Sequence, residues 1–482
     1  MPVSLLGDQP FENTPSLEAK ALRINLNDNI YGTFAEIGAG QEVARHFFRC
    51  GGASGTIAKT MSAYDKNFSD AIYGKEKSYV SEERLNRMLD LEIEHLEARI
   101  SSEKRSKNIF FTYANTVTTI DFAKKFKGHG WMGIKFQTEP DGPYSMISTH
   151  LRFHENDARS QQESVGVMGV NLIYGAFYQH DRPRKMLRYL FDHVDKTAIE
   201  IDTINFTGPL FKKVDNRLLS LELVKNGMTE AVMFGPDGNN LLPARVLYKK
   251  NILAIRGSFR PVTNVNMDMF EKSSSLFYKE DGVAPENTLE VFEITLSNLM
   301  STGIIDEQDF MDRAKLLCAL GLTVMISDFK EYYRLVEYFS NYTTKKIRLS
   351  MGVSNLVEIF NEKYYRKLSG GILEAFGKLF FKNLIVYLYP MIDRETGEII
   401  DSTNVRVASQ VKELYKFFAY NDKVIDITDY NKDYLQIYSK EVLEMINHGK
   451  QGWEKMLPEK IVKLISSENL FGYQTDPKKR LD

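Results

Sequence analysis

The sequence predicts an α/β protein built from mostly parallel, doubly wound sheet units with a helical C-terminal appendage. Short apolar runs typical of buried strands alternate with helical patterns, most regularly between residues 288 and 390. The chain has 482 residues, which is enough for two or three domains. Its composition, 43% hydrophobic and 26% charged, is that of a folded globular protein. Strands and helices that alternate over such a length favour parallel sheets covered by helices.

Shifts in these patterns divide the sequence into four predicted regions. Residues 1–160 form an N-terminal α/β or α+β region with glycine-rich turns, and residues 161–287 form a central α/β region. Residues 288–390 form a βαβαβ unit, and residues 391–482 form the helical appendage.

Helices are predicted where an N-cap residue precedes apolar side chains at helical spacing. Ser81 precedes Leu85 and Leu89 in this way. Asp215 and Asp306 stand in the same position before later helices.

Strands are predicted for runs rich in apolar and β-branched residues. These runs are residues 108–113, 133–137, 147–153, 199–206, 231–234, 244–248, 252–256, 322–327, 347–351 and 384–389. Residues 127–130, Lys-Gly-His-Gly, predict a turn, and the serine-rich stretch at 272–275 predicts a loop. Ser327 and Gly352 are expected at the carboxyl ends of parallel strands, where open α/β sheets bind ligands.

Charge and cysteine content limit the function classes. The net charge is −2, from 62 basic and 64 acidic residues, so there is no basic surplus for general nucleic-acid binding. Cys50 and Cys318 are too few for a disulfide framework or a thiolate metal site. The first residues lack the pattern of a signal peptide, and no apolar stretch reaches about 18 residues. We therefore expect a soluble, cytoplasmic protein without a membrane partner.

A glycine turn near the N-terminus is the strongest pointer to chemistry. It places Gly38 and Gly40 between a predicted strand and a predicted helix. The turn resembles the first motif of S-adenosylmethionine-dependent methyltransferases and overlaps a dinucleotide-binding fingerprint. Such turns bring a ligand close to the amides that begin a helix. Glu42 or Val43 stands where a third glycine or alanine is wanted, so a ligand-binding turn and a tight structural turn are both open interpretations.

A second glycine cluster follows at Gly52 and Gly55, with Lys59 beyond it. A Walker loop needs its lysine directly after the last glycine, whereas Lys59 lies four residues further on. The cluster predicts either an anion-binding nest or packing that only glycine permits. We expect the two glycine clusters to line one anion pocket together.

Three further groups are candidate site residues. His129 stands between two glycines in a predicted turn and is the candidate catalytic histidine. Asp215 opens a helix after a strand and is interpreted as either a catalytic acid or a plain cap. Arg256 and Arg260 follow a strand and are a candidate clamp for a carboxylate or phosphate, with solvated surface charge as the alternative.

No metal site is predicted. His150 and His154 are four residues apart, which suits chelation on a helix, but residues 147–153 are predicted to form a strand. The sequence also presents no third ligand for them.

Five segments carry a resemblance to a family of largely uncharacterised bacterial proteins. They span most of the chain, at residues 35–45, 128–133, 214–218, 256–263 and 370–377. Members of this family commonly carry the label nicotinate-nucleotide adenylyltransferase, and sometimes the label TonB-dependent receptor. The first label implies a nucleotide-dependent transferase, but the His-x-Gly-His motif of such enzymes is absent from the sequence. The second label implies a signal peptide and an alternating barrel pattern, which the sequence does not show.

The sequence leaves three functions open. The first is an enzyme or binding protein for a nucleotide-like or other anionic small molecule. The second is a non-enzymatic scaffold that assembles as a homo-oligomer, since no catalytic motif is complete. The third is an S-adenosylmethionine-dependent methyltransferase. The sequence by itself identifies no cofactor.

Overall fold

The structure is a computed structural model that describes residues 14–124, 127–300, 303–380 and 383–474. The chain folds into two compact units, residues 1–229 and 230–482. Each unit contains its own large sheet. The finer division into four regions stays a prediction.

A six-stranded sheet forms the centre of the first unit. Its strands are β1 (Ile30–Gly38), β2 (Ile57–Ala63), β3 (Ile109–Thr118), β4 (His129–Phe136), β5 (Ser145–Phe153) and β6 (Ile199–Thr207). They lie in the order β2-β1-β3-β4-β5-β6. Strand β1 is parallel to β2 and β3, whereas the pairs from β3 to β6 are antiparallel. The first sheet therefore has a parallel half and an antiparallel half.

Eight helices belong to the described part of the first unit. They are α1 (Leu17–Asn25), α2 (Glu42–Arg49), α3 (Lys66–Tyr73), α4 (Glu82–Glu97), α5 (Ser102–Lys107), α6 (Ala158–Tyr178), α7 (Pro183–Leu190) and α8 (Asn216–Lys225). Ser81 caps α4 as expected, because its side chain accepts a hydrogen bond from the Arg84 amide. Helices α2 and α6 pack closely at Gly169, where an added Cβ would lie 2.5 Å from a methyl carbon of Val43. Val43 therefore packs against α6 at the position where the cofactor-binding motif has a glycine or alanine.

The second unit is built on an eight-stranded sheet. Its strands are β7 (Ala231–Phe234), β8 (Asn240–Leu241), β9 (Asn251–Arg256), β10 (Thr288–Thr295), β11 (Thr323–Ser327), β12 (Ile347–Gly352), β13 (Leu384–Tyr389) and β16 (Val424–Asp426). Two short strands, β14 (Met391–Ile392) and β15 (Ile399–Ile400), form a separate antiparallel hairpin. The sheet order is β16-β13-β12-β9-β10-β11-β7-β8, and the six strands from β16 to β11 are parallel. From β9 the chain winds outward through β10 and β11, then returns to build β12, β13 and β16 on the other side. This is a doubly wound sheet.

Helices flank this second sheet and dominate the end of the chain. They are α9 (Pro243–Val246), α10 (Asn264–Phe277), α11 (Leu296–Leu299), α12 (Glu307–Ala319), α13 (Tyr332–Ser340), α14 (Val353–Ile359), α15 (Gly371–Leu379), α16 (Lys412–Tyr420), α17 (Ser439–Asn447) and α18 (Glu459–Glu468). Buried side chains of the strands, such as Ile252 and Leu349, pack with helical residues such as Leu335 and Phe376 in one apolar cluster.

The α/β class, the doubly wound sheet and the mainly helical C-terminal region are confirmed. Three local predictions are wrong. Residues 244–248 do not form a strand, because Pro243 occupies the first turn of the short helix α9. Residues 272–275 lie inside α10, where Ser273 is buried and shares a 2.7 Å hydrogen bond with Ser350. The predicted turn at 127–130 ends early, because β4 begins at His129.

No helix among the described residues is both long enough and apolar enough to cross a membrane. Residues 1–13, on which the expectation about a signal peptide rests, lie outside the described residues. The cytoplasmic location stays a prediction.

Candidate functional site

The most suggestive feature of the first unit is a hollow of about 400 Å³ at the carboxyl ends of β1 and β2. It is lined by Glu36, Gln41, Ala44, Arg45, Phe48, Arg49, Thr60 and Ser62. Strands β1 and β2 supply the acidic and hydroxyl groups, and α2 with the residue before it supplies the rest. We refer to this feature as the carboxyl-edge hollow.

Glu36 is the unusual residue of the carboxyl-edge hollow. Its side chain is buried, with a relative exposure of 1%. The Ser62 hydroxyl donates a 3.0 Å hydrogen bond to Oε2 of Glu36, whereas Oε1 has no hydrogen-bond partner among the described residues. Burial raises the pKa of Glu36 to about 7, since the ionised form loses its hydration, and the Ser62 hydroxyl and the Ala44 backbone amide offset only part of this rise. At neutral pH this carboxyl group is poised between its acid and its anion.

The glycine turn closes tightly against β3. Gly38 has a φ of +81°, and an added Cβ there would lie 2.0 Å from the carbonyl oxygen of Val117. An added Cβ at Gly40 would lie 1.8 Å from the Asn115 side chain. The Gln41 side chain folds back and donates to the Gly38 carbonyl. Both glycines are thus explained by packing on β3, and their ligand-binding role stays a prediction.

Basic and aromatic side chains of α2 complete the carboxyl-edge hollow. Arg45 and Arg49 are four residues apart and both are exposed, so they share one helix face. Arg45 donates to Glu42 at 2.9 Å on the protein surface. Phe48, which also lines the hollow, has an exposure of 49%. The hollow thus combines two cations, a solvent-facing ring and a buried carboxyl group.

The second glycine cluster does not join this hollow. Gly52 and Gly55 precede β2, so they lie at the amino ends of the parallel strands, opposite the Gly38 turn. Gly55 instead lines a smaller hollow of about 260 Å³ with Lys104 and Lys107. The structure therefore separates the two clusters that the sequence predicts to form one pocket.

Lys59 points to a buried partner. It lies within β2, and its amine forms a 2.6 Å ion pair with Glu92 of α4, whose side chain is 1% exposed. The Tyr73 hydroxyl also donates to Glu92, at 2.8 Å. The charge of Lys59 is used within the protein, and its predicted role toward a ligand is untested.

His129 lies in the antiparallel half of the sheet and contacts a second histidine. Nδ1 of His129 is 3.0 Å from Nε2 of His150, and Nδ1 of His150 is 2.7 Å from Oδ1 of Asp202. His150 and Asp202 are each 1% exposed, whereas His129 is partly exposed. Burial, together with the charges of His150 and Arg152, lowers the pKa of His129 to about 4. His129 is therefore uncharged at neutral pH.

The remaining predicted site residues engage partners of their own. Asp215 caps α8 by accepting from the Arg217 amide at 2.9 Å, and it also forms an ion pair with the Arg217 side chain at 2.7 Å. In the second unit, Arg256 pairs with Glu293 and Arg260 pairs with Asp309. Both arginines follow β9, as expected. Among the described residues, Asp215 and His129 have different partners and form no hydrogen bond with each other. Their predicted roles toward a ligand or in catalysis are untested.

Within the described ranges, no group of three or more His, Cys, Asp or Glu is arranged to hold a metal ion. His150 lies in β5, as the strand prediction requires, and His154 follows directly after the strand. The two histidines contact different carboxylates, Asp202 and Glu200.

Sequence reasoning missed four residues that the structure makes prominent: Glu36, Arg45, Arg49 and Asp202. A signal for Glu36 was present, because an acidic residue inside the apolar run of β1 is expected to be buried and functional or paired. Asp202 gave no such signal, because it becomes notable only when β5 and β6 pair.

Comparisons with known proteins leave the family open. No protein-family model matches the chain, and no curated protein matches it, so neither family label receives support. Similar solved structures include a competence-damaged protein (CinA) superfamily protein from Enterobacter cloacae, with 11% identity and a TM-score of 0.26 over 36% of this chain and 98% of that one. The competence/damage-inducible protein CihA from Agrobacterium tumefaciens gives 13% identity and a TM-score of 0.25 over 38% and 99%. The similarity is partial and weak, and it carries no argument about this chain.

Proposed function

We propose that the first unit binds a nucleotide-like anionic small molecule in the carboxyl-edge hollow. The observation that carries the proposal is the buried Glu36 carboxyl group, whose Oε1 lacks a hydrogen-bond partner in the described structure and which lines the hollow beside two arginines. A buried polar atom without a partner costs stability, and a bound ligand that supplies the partner removes that cost.

The chemistry of the lining selects the ligand class. Arg45 and Arg49 suit a phosphate or carboxylate, since guanidinium groups bind such anions in pairs of hydrogen bonds. Phe48 offers an exposed ring for stacking a planar base. Glu36 accepts from an amino or hydroxyl group of the ligand. The volume of about 400 Å³ is in the range of small-molecule sites. A nucleotide carries all three of these groups in one molecule.

Binding is tested by the thermal unfolding of the full chain with separate additions of inorganic phosphate, nucleoside mono-, di- and triphosphates, and dinucleotides. A ligand that binds the native state alone raises the melting temperature. Native mass spectrometry of the protein as purified reports any ligand that is retained. No response to any member of the panel would contradict the proposal.

Variants then locate the site. Replacing both Arg45 and Arg49 by alanine is expected to weaken binding by about tenfold or more, because two charged hydrogen-bond donors are lost. Arg159→Ala is the matched control, because Arg159 is an 85% exposed arginine of α6 that does not line the hollow. Equal binding by the double variant and the control would place the ligand elsewhere.

S-adenosylmethionine is a second candidate ligand for the same hollow. The order of strand β1, glycine turn, helix α2 and adjacent parallel strand β2 favours it, since this is the unit that such cofactors use. Addition of S-adenosylmethionine in the same experiment separates the two candidates. Assembly as a homo-oligomer stays a prediction that light scattering tests.

A further inference from the structure

Three side chains on neighbouring antiparallel strands form a linear hydrogen-bonded chain. Asp202 of β6 contacts His150 of β5, and His150 contacts His129 of β4, at 2.7 and 3.0 Å. The Trp131 ring packs against His150 with 5.1 Å between ring centres. Asp202 is the extra residue at the irregularity where β5 and β6 shift register, which is how it reaches His150.

The direction of each hydrogen bond follows from the acceptor at the buried end. An ionised carboxylate only accepts, so Nδ1 of His150 carries a proton and donates to Asp202. In the state with one proton on His150, Nε2 of His150 accepts and His129 donates from Nδ1; the charge of His150 acts on His129 when His150 takes up its second proton. Nε2 of His129 is left with its lone pair. Of the three members, His129 is the one that reaches the surface.

The hydrogen-bonded side chains of His129, His150 and Asp202 lie on the opposite face of the sheet from the carboxyl-edge hollow. Asn115 pairs in register with both Glu36 and Met132, and paired residues share a face. His129 and Trp131 are neighbours of Met132 along β4 with the opposite orientation. Helix α4 covers their face, as Leu85 lies 3.1 Å from the position of a Cβ on Gly133. A role for His129 is thus independent of ligand binding at Glu36.

The surroundings of His129 disfavour the positively charged form, in which both ring nitrogens of His129 carry a proton. Burial is the largest cause of its lowered pKa, and the charges of His150 and Arg152 add to it. Arg152 faces His129 across the β4–β5 pair and has Glu200 as its ion-pair partner at 3.4 Å. Glu82, at the start of α4, contacts Asn205 of β6 at 3.2 Å. Among these groups, Asp202 is the carboxylate in direct contact with the histidine chain.

We propose that His129, His150 and Asp202 form a proton relay in which His129 is the general base of a hydrolytic site. Nε2 of His129 takes a proton from water, whose oxygen attacks an acyl carbon of the substrate. The Nδ1 proton of His129 passes to Nε2 of His150, and the positive charge then lies on His150 beside Asp202. Return of both protons along the same path protonates the leaving group. His129 is the catalytic residue, and His150 and Asp202 are positioning residues.

The relay is tested with diethyl pyrocarbonate, which acylates unprotonated imidazoles, and with peptide mass mapping of the modified histidines. Nε2 attacks the carbonyl carbon, ethyl carbonate leaves, and the Nδ1 proton of His129 passes to His150. His448 is the matched control, since its Nδ1 also has a hydrogen-bond partner, the carbonyl oxygen of Glu444 at 2.7 Å, and that oxygen cannot take up the proton. Rates are expressed as the ratio of His129 to His448 at a fixed pH of about 7.5. The acylation rate of His129 itself is expected to fall little between about pH 7.5 and about pH 5.5, because burial and the charge of Arg152 hold its pKa low.

Variants separate a relay from a structural network. Asp202→Asn is expected to lower the rate ratio about tenfold, since the transferred charge loses its counter-charge. Asp195→Asn, the same change at an exposed turn, is expected to leave it unchanged. If Asp202→Asn fails to fold, nitrogen-15 NMR of the native protein decides the question, because it shows which ring nitrogen of His129 carries the proton. The relay requires that proton on Nδ1. A proton on Nε2 of His129, or an Asp202→Asn variant in which His129 is acylated as fast as in the native protein, would overturn the proposal.

Discussion

Two buried glutamates occupy matching places in the two units. Glu36 lies in β1 and Glu293 lies in β10, both on parallel strands, with exposures of 1% and 0%. Each accepts a hydrogen bond from a serine of the neighbouring parallel strand, Ser62 at 3.0 Å and Ser327 at 2.5 Å. Their remaining oxygens differ. Glu293 also binds the Arg256 guanidinium at two points, at 2.7 and 3.0 Å, whereas Oε1 of Glu36 has no partner in the described structure.

This difference separates a structural carboxylate from a candidate binding group. In the second unit, Arg256 neutralises Glu293 and also packs 4.2 Å from the centre of the Tyr332 ring. A charge pair of this kind is complete without a ligand. In the described part of the first unit, no arginine forms an ion pair with Glu36, so burial dominates and its pKa rises. The arginines nearest in the hollow, Arg45 and Arg49, lie at the surface instead.

Removal of the arginine from the complete pair has the largest expected effect. Arg256→Ala is expected to destabilise the second unit by about 3–5 kcal/mol, because Glu293 is left buried and unpaired. Arg49→Ala in the first unit is expected to change stability by less than about 0.5 kcal/mol, as exposed residues generally do. Urea unfolding of both variants measures the difference. A similar small loss for both would show that Glu293 does not depend on Arg256.

The pH dependence of the free energy of unfolding tests whether Glu36 is buried without a neutralising partner. Its pKa rises from 4.5 to about 7 on folding, so the folded state holds the proton more tightly and loses stability as pH rises through this range. The loss is about 3 kcal/mol above pH 7. Glu36→Gln cannot ionise, so it is expected to match the native protein near pH 4.5 and to exceed its stability near pH 8. Urea midpoints across this range test the sign, and a Gln variant that is less stable at both ends would contradict it.

The two glycine clusters of the first unit provide a third contrast. Gly38→Ala is expected to cost about 2 kcal/mol, because the backbone has a φ of +81° and the new Cβ meets the Val117 carbonyl. Gly55→Ala meets nothing within 4 Å and is expected to be nearly neutral. Thermal unfolding of the two variants checks this. Equal costs would mean that the tight turn at Gly38 is not what its geometry indicates.

The last comparison, with smaller expected losses than those for Arg256 and Gly38, concerns two helix caps, one in each unit. Asp215→Ala and Asp306→Ala are each expected to cost about 1 kcal/mol, because each aspartate accepts from a first-turn amide. Asparagine at either position keeps the acceptor and is expected to restore most of the loss. If an assayed activity fell with Asp215→Asn while stability held, the catalytic interpretation of Asp215 would gain support over the cap.

Several local features were predictable from the sequence because their causes lie within a few residues. The caps at Ser81, Asp215 and Asp306 need only a side chain and the amides that follow it. Where a local cue was weak, tertiary packing decided the outcome. The serine-rich stretch at 272–275 became helical because α10 buries Ser273 against β12.

The sequence by itself determined the α/β class, the alternation of strands and helices between residues 288 and 390 and the position of the glycine turn, since these follow from short-range patterns. That β7, β8 and β9 join the later strands in one sheet was decided by the tertiary structure alone. Only the tertiary structure decided which charged groups are neutralised and which are left for a ligand. Glu293 and Arg256 are 37 residues apart, and Asp202 and His150 are 52 apart, so no local spacing reveals either contact. The pairing of distant strands brings these side chains together, and burial then determines their charge. For the same reason the sequence marked Glu36 only as an acidic residue within an apolar strand, and its burial made it the centre of the candidate site.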